Sequence, residues 1–293
     1  MKWTITKKCN GMLIREFLKT EHSFSRRIIK AIIYDGGKIL VNGTPKTVRY
    51  QLNTGDVLTI QFPEEQKGTY MKPEEVPLNI VYEDEAVLVI NKQAGIASIP
   101  SLHHQSGTIA NGVLAHYQQT NVPYTVHVVT RLDRDTSGLL LIAKHRYSHS
   151  ILSSFQKQGL VKRKYYAVVE GLVEQQAGTI DANIGRKENS IIERAVMEEG
   201  QRAITHYSVK NKGSGHSLLD IELETGRTHQ IRVHFSHIGH PLAGDDLYGG
   251  KLKHIKRQAL HCYQLMFLHP TTKKRVTFTS PLPEDMGTIV SSN

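Results

Sequence analysis

With 293 residues the chain is longer than one hydrophobic core requires, so two domains are the natural expectation. Lys and Arg number 37 against 27 Asp and Glu, a net charge of +10, which points to a polyanionic partner, nucleic acid or an anionic membrane face. Two distant cysteines, Cys9 and Cys262, exclude a disulfide framework and a paired-cysteine metal site, and no apolar run reaches the roughly 18 residues of a membrane span.

The start, "MKWTITKKCNG", is basic but lacks an apolar core, so no signal peptide is expected and the chain reads as soluble and cytoplasmic. Residues 1–62 hold eleven Lys and Arg against four acids, most of the surplus charge. Within them, "MLIREFLKT" spaces Leu13, Phe17 and Leu18 as a helix. "SFSRRIIKAII" predicts a second helix with a Ser cap, with Ile28, Ile29, Ile32 and Ile33 on one side and Arg26, Arg27 and Lys30 on the other. "GGKILVNG" and "GDVLTIQF" read as strands bounded by glycine turns. Residues 63–78, with two Pro-Glu-Glu groups and no apolar periodicity, read as a linker.

From residue 79 to 293 the pattern is α+β with a mixed, mostly antiparallel sheet flanked by helices. "AVLVIN" and "GLLLIAK" are continuous apolar runs, hence interior strands, and "LLDIELE" alternates as a half-exposed one. Helices are expected at 107–118, 147–158 and 227–238. This second part should hold a core of its own, so that a chain starting near Pro73 would fold.

Two stretches carry the chemistry. "TRLDRDTSG" packs two carboxylates and two guanidinium groups into five residues, directly before a buried strand that would hold them in place. In "LETGRTHQIRVHFSHIGHPLAGDDLYG", Thr225 is a candidate N-cap and Arg227 falls in the expected first helical turn. A cation there opposes the helix dipole, and a nearby anion, an RNA phosphate or Asp133, would offset the cost.

These stretches resemble the RluA-type RNA pseudouridine synthases. "YEDEAVLVINKQAGI", "TRLDRDTSGLLLIAK", "KYYAVVEG", "TGRTHQIRVHFSHIGHPLAGDDLYG" and "RQALHCYQLMFLHP" match the family's motifs in order over about residues 79 to 281. The resemblance implies Asp133 as the catalytic aspartate and Tyr165 as the active-site tyrosine. It implies Arg227 as the arginine paired with the aspartate, Leu260 beside the target base, and Arg131 holding RNA where the uridine is extruded. The chain departs from the family pattern at Thr130, usually His, at Gln93, usually Pro, and at Cys262, usually Ala. Residues 12–62, with the basic second helix, "KILVNG" and the "GD" turn, are similar to the S-four-like RNA-binding module. That likeness implies RNA contacts from Arg26, Arg27, Lys30, Lys38 and the Asn42–Gly43 turn.

The reaction so implied breaks a C–N glycosidic bond and makes a C–C bond from the same ribose, with no net oxidation, hydrolysis or energy input. It needs no cofactor and no metal, only an ionised carboxylate shielded from water. Burial raises a carboxyl's pKa and an adjacent guanidinium counters this. The target must leave its stack, at a cost of a few kcal/mol, which RNA contacts offset. The expected partner is structured RNA, ribosomal ahead of transfer RNA, and the expected state a monomer with no membrane attachment. Three rivals remain on the residues alone: a glycosidase or base glycosylase using Asp133 and Asp135, a metal site among His229, His234, His237 and His240, and a non-catalytic RNA-binding protein.

Overall fold

The computed structural model describes residues 1–65, 71–101, 105–123 and 125–291. The N-terminal part runs β1 (Lys2–Thr4), α1 (Ile14–Thr20), α2 (Arg26–Tyr34), β2 (Lys38–Val41), β3 (Thr44–Pro45) and β4 (Val57–Gln61), its strands forming one sheet in the order β1-β4-β2-β3. Both helices form where the apolar spacing predicts them. Ser25 caps α2 by accepting from the Ile28 amide at 3.3 Å. Ile28 and Ile32 are buried, but Ile33 is 42% exposed, so the apolar face is narrower than the sequence suggests. Strand β1 escaped the sequence reading because three residues show no period; it forms by pairing Trp3 with Leu58 on β4. Asn42 and Gly43, at φ of 51° and 79°, make the two-residue turn between β2 and β3.

Of the linker expected at 63–78, residues 66–70 lie outside the described residues. The described portions are held: Glu65 Oε2 lies 2.6 Å from His127 Nε2, and Glu74 accepts from the Gly107 amide at 2.7 Å.

The larger part comprises β5 (Ile80–Glu83), β6 (Val87–Lys92), α3 (Ile109–Gln119), β7 (His127–Val128), β8 (Ser137–Ala143), α4 (Arg146–Lys157) and β9 (Lys162–Glu170). It continues through β10 (Ala177–Asp181), β11 (Ile184–Arg186), β12 (Arg194–Val196), β13 (Ile204–Gly213), β14 (His216–Leu223) and α5 (Gln230–His237). The chain ends with β15 (Leu260–Leu268), β16 (Arg275–Thr279) and α6 (Glu284–Ser291). Ten strands form one sheet in the order β10-β13-β14-β9-β15-β8-β6-β5, with β16 beside β15 and β7 beside β8; β11 and β12 make a separate hairpin. Among these pairings only β8–β15 is parallel, so the fold is α+β with a mostly antiparallel sheet, as expected. β8, the "GLLLIA" run, is buried along its whole length, while β14 is half-exposed.

The parallel step sets two loop ends side by side. Gly138 pairs with Cys262, and a Cβ at Gly138 would lie 2.3 Å from the Cys262 carbonyl oxygen. With φ at 112°, this position requires glycine. It brings the end of the "RLDRD" loop against Leu260 at the start of β15.

The two parts also share a core. Tyr147 and Ile151 of α4 are buried among Phe17, Phe24, Ile28 and Ile32 of the first part. The Phe24 and Tyr147 rings lie 4.1 Å apart, Phe62 stacks on His145 at 5.0 Å, and Tyr147 Oη donates to the His22 carbonyl at 2.8 Å. The second part therefore has its own core but relies on the first to cover α4.

Candidate active site

The "RLDRD" loop is fastened from beneath before any side chain reaches solvent. The Leu132 amide donates to Ser98 Oγ at 3.1 Å, and that hydroxyl donates to the Leu132 carbonyl at 2.7 Å. The Arg134 carbonyl accepts from the Gly95 amide at 3.0 Å and from Lys92 Nζ at 2.8 Å. Lys92 is 1% exposed and also donates to the Gln93 and Ile96 carbonyls, both at 2.8 Å. Burial lowers its pKa to about 7, against the pull of Asp135 and Asp133. Three carbonyl acceptors use all three protons of an ammonium, so the bonded state is the charged one. Thr130, where the family has His, is buried and accepts from the Leu141 amide at 3.0 Å, stitching the loop to β8.

Thus fixed, Asp133 lines a cleft of about 480 Å³ shared with Arg131, Tyr165, Arg227, His229, Arg232 and Leu260. The two carboxylates of the loop part company. Asp135 pairs with its neighbour Arg134, 3.0 Å away on the exposed side, while Asp133 faces the cleft.

The cation on Asp133 differs from the one expected. Arg232 Nη1 donates to Asp133 Oδ2 at 3.2 Å, whereas Arg227 Nε donates to the Arg202 carbonyl at 3.0 Å. The cause is local backbone. Helix α5 begins at Gln230, later than the expected 227, and its N-cap is His229 at φ 57°, not Thr225. Gln230 turns its side chain back to organise the loop: its Oε1 accepts from the Arg227 amide at 3.0 Å and the Thr225 hydroxyl at 2.8 Å. Its Nε2 donates to the Ile204 carbonyl at 2.9 Å. Arg227 is therefore carried to the cleft rim, and Arg232, one turn into α5, takes the buried place. Arg232 is also held by Asp245, Nε to Oδ2 at 2.7 Å and Nη2 to Oδ1 at 2.8 Å, a bidentate pair with a fully buried carboxylate. Burial works against the Arg232 charge, but Asp245 and then Asp133 outweigh it and raise the pKa further. One guanidinium thus joins both acids. The signal for Arg232 was present in "HQIRVHF", an arginine between apolar residues on a helix, with the second acid in "AGDD".

Tyr165, on β9, is 4% exposed, and burial pushes its phenol well above the usual range. Leu260 is 5% exposed on the cleft wall, and Arg131 is exposed at its edge. Cys262, buried, lies beside Tyr165 on the neighbouring strand. Far from this cleft in sequence, Arg26, Arg27 and Lys30 form an exposed row on α2, and Lys38 is exposed on β2. Asn42 has its amide engaged within the domain: Nδ2 donates to Asp56 Oδ1 and Oδ1 accepts from the Val57 amide, both at 2.8 Å. It leaves Gly43 as the open side of that turn.

Three histidines of the "THQIRVHFSHIGH" stretch have separate partners, and His237 is exposed. His234 lies 2.9 Å from both Thr205 Oγ1 and the Ala182 carbonyl, His240 lies 2.9 Å from the Glu170 carbonyl, and His229 lies 2.8 Å from Tyr248 Oη.

Comparison with known proteins gives this cleft its context. The family pattern described as RNA pseudouridylate synthase matches residues 86–237, which include Asp133, Tyr165 and Arg232. An uncharacterized RNA pseudouridine synthase of Bacillus subtilis (strain 168), YjbO, is 54% identical over 279 residues, covering 95% of this chain and 98% of that protein. Ribosomal large subunit pseudouridine synthase D of Pseudomonas aeruginosa is 40% identical over 286 residues, covering 92% of this chain and 88% of its own length. Among solved structures, human RNA Pseudouridylate Synthase Domain Containing 1 superposes with a TM-score of 0.58 at 26% identity, over 72% of this chain and 86% of that one. The chain belongs to the RNA pseudouridylate synthase family, isomerases that act on RNA.

Proposed function

We propose that this pseudouridine synthase isomerises uridines of structured ribosomal RNA, with Asp133 as the catalytic carboxylate. The observation that carries the reading is the Arg232 bridge, which holds Asp133 at the cleft at 3.2 Å and is itself locked by buried Asp245. The C1′–N1 bond breaks, the base turns, C1′ joins C5, the C5 proton leaves and N1 takes up a proton. A carboxylate bonded to a guanidinium can attack or deprotonate the sugar, or add to the base. Tyr165 enters as a neutral phenol because burial disfavours its anion, which suits packing against the uracil more than accepting the C5 proton. Leu260 packs beside the base, Arg131 steadies the emptied stack, and Arg227 on the rim meets a phosphate.

The ribosomal assignment is supported by similarity to a large-subunit synthase over most of both chains. We divide the chain into an S-four-like RNA-binding domain at 1–62, a linker at 63–78 and the catalytic domain at 79–293. The exposed row of Arg26, Arg27, Lys30 and Lys38, with the turn at Asn42–Gly43, grips phosphates. The protein acts as a monomer in the cytoplasm, in keeping with two free, buried thiols and with the lack, among the described residues, of a helix able to cross a membrane.

Mapping pseudouridines in total RNA from cells with and without the gene tests the substrate, and complementation with variants tests the chemistry. Asp133→Asn should remove every site the protein makes while leaving RNA affinity within a few-fold; Asp135→Asn should retain most of them. Sites lost only from transfer RNA would overturn the ribosomal assignment, and an active Asp133→Asn protein would overturn the catalytic one.

A further inference from the structure

His229 has no task in the chemistry above, yet it occupies the cleft wall beside Asp133. Its backbone is left-handed, at φ 57°, just before α5 begins. The ring is bonded at one end and faces the carboxylate at the other. Nδ1 lies 2.8 Å from Tyr248 Oη, and Nε2 lies 3.8 Å from Asp133 Oδ2.

Tyr248 Oη accepts from the Arg194 amide at 3.0 Å, so the phenol's own proton is free to go to His229 Nδ1. A phenol with pKa raised by burial remains protonated and donates. Nδ1 is then the acceptor, and in neutral imidazole the proton must sit on Nε2, the nitrogen facing Asp133. Burial lowers the His229 pKa; Asp133 acts against this, while the Arg232 and Arg194 cations add to it and Asp245 opposes. The ring is therefore neutral, a donor without a full charge. Arg232 also lies over the Tyr248 ring, 4.9 Å from its centre, which fixes the phenol that fixes the histidine.

Both contacts to Asp133, from Arg232 Nη1 and from His229 Nε2, fall on Oδ2; among the described residues no hydrogen bond falls on Oδ1. We propose that the Tyr248–His229 pair is a positioning device for Asp133: it fixes the imidazole with its proton on Nε2, engages Oδ2 alongside Arg232, and leaves Oδ1 as the reacting oxygen. At 3.8 Å the contact is longer than a hydrogen bond, and such contacts shorten when substrate fills the site. A neutral donor here stabilises the carboxylate without a second cation that would compete with Arg232. The proposal rests on Asp133 being the catalytic carboxylate.

The test uses the full-length protein and, as substrate, total RNA from cells lacking it. Nitrogen NMR of histidine-labelled enzyme, free of any activity readout, should show His229 neutral with its proton on Nε2; a proton on Nδ1 overturns the proposal. His229→Asn keeps a residue at ease in the left-handed region but cannot reach Asp133. Its single-turnover rate at saturating RNA should fall about tenfold, the worth of one hydrogen bond to a charged group, with KM unchanged and the acidic limb of the pH–rate profile moved to higher pH. His229→Gln, whose amide nitrogen reaches the position of Nε2, should recover most of the rate and the wild-type limb. Tyr248→Phe should free the tautomer and fall between the two. A drop in melting temperature with an unmoved pH limb, or no rescue by Gln, would mark His229 as merely structural. Activity of Asp133→Asn would instead overturn the reading beneath, and the NMR result would stand apart from it.

Discussion

At the scale of single residues, the site depends on which of two arginines five positions apart reaches Asp133. Arg232 bridges Asp133 and Asp245, while Arg227 rests on a backbone carbonyl at the rim. Arg232→Met leaves the buried Asp245 unpaired, an expected loss of about 3–5 kcal/mol in stability. Arg232→Lys is the cleaner probe, since one ammonium cannot serve a bidentate partner and a second carboxylate together. It should fold, bind RNA and turn over far more slowly. Arg227→Met should do the reverse, weakening binding with near-normal single-turnover rates at saturating RNA. Equal effects of the two substitutions on turnover would contradict the assignment. Motif order alone pointed to the correct stretch but to the wrong member of the pair. The deciding factor, the late start of α5, arises from Gln230 bonding back across the loop and from His229 in a left-handed conformation, and neither has a signature in local composition. Asp133, Tyr165 and Leu260, by contrast, line one cleft as the quoted stretches suggested, since each lies on or directly before a strand of the large sheet.

At the scale of elements, the sheet supplies rigidity where the chemistry needs it. The runs Val87–Ile90 of β6 and Gly138–Ala143 of β8 are apolar without interruption, so both were readable as interior strands, and the α3 and α4 helices lie within two residues of their expected bounds. What pattern could not reveal was the parallel contact between β8 and β15, because pairing of distant strands is set by the whole sheet. Its sharpest consequence is Gly138. Gly138→Ala would force a Cβ against the Cys262 backbone at a positive φ. The strain alone costs on the order of 1–3 kcal/mol, and the clash adds to it. Thermal melts should show a clear loss of stability, and activity should fall further than melting explains, since Asp133 and Leu260 are positioned from either side of this contact. A wild-type melting temperature would refute the stated geometry.

At the scale of the whole molecule, the first part is fastened to the second by aromatic packing. Tyr147 and Ile151, 0% and 3% exposed, would face water in a chain starting near Pro73, forfeiting about 1.5–3 kcal/mol for each. Such a truncation should melt lower or aggregate, contrary to the independence suggested by sequence, where an α4 facing two ways looks like any amphipathic helix. Substitutions in the intact chain are the better test of RNA grip. Changing Arg26, Arg27 and Lys30 to Gln should lower affinity and reduce the log–log salt slope by about 0.7–0.9 per lost contact, with single-turnover rate preserved. The joint also carries a pH dependence. Burial lowers His22 to about 4 and His145 to about 3, so from pH 6.5 downward the unfolded chain binds protons that the folded one refuses. Stability should therefore decline as pH falls from about 6.5 towards 4, and exchanging His22 for Gln should flatten part of that decline. A curve unchanged by that exchange would assign the loss elsewhere. The same joint has a consequence for substrate choice. With Phe24 and Phe62 seated on α4, the basic row of α2 and the carboxylate of Asp133 stand a set span apart, so that under the proposed RNA contacts the protein would act as a caliper. An RNA would then be selected by the distance between the phosphates it offers at one jaw and the uridine it can release at the other. Lengthening the intervening RNA stem by a few base pairs should abolish modification of a target whose local sequence is untouched.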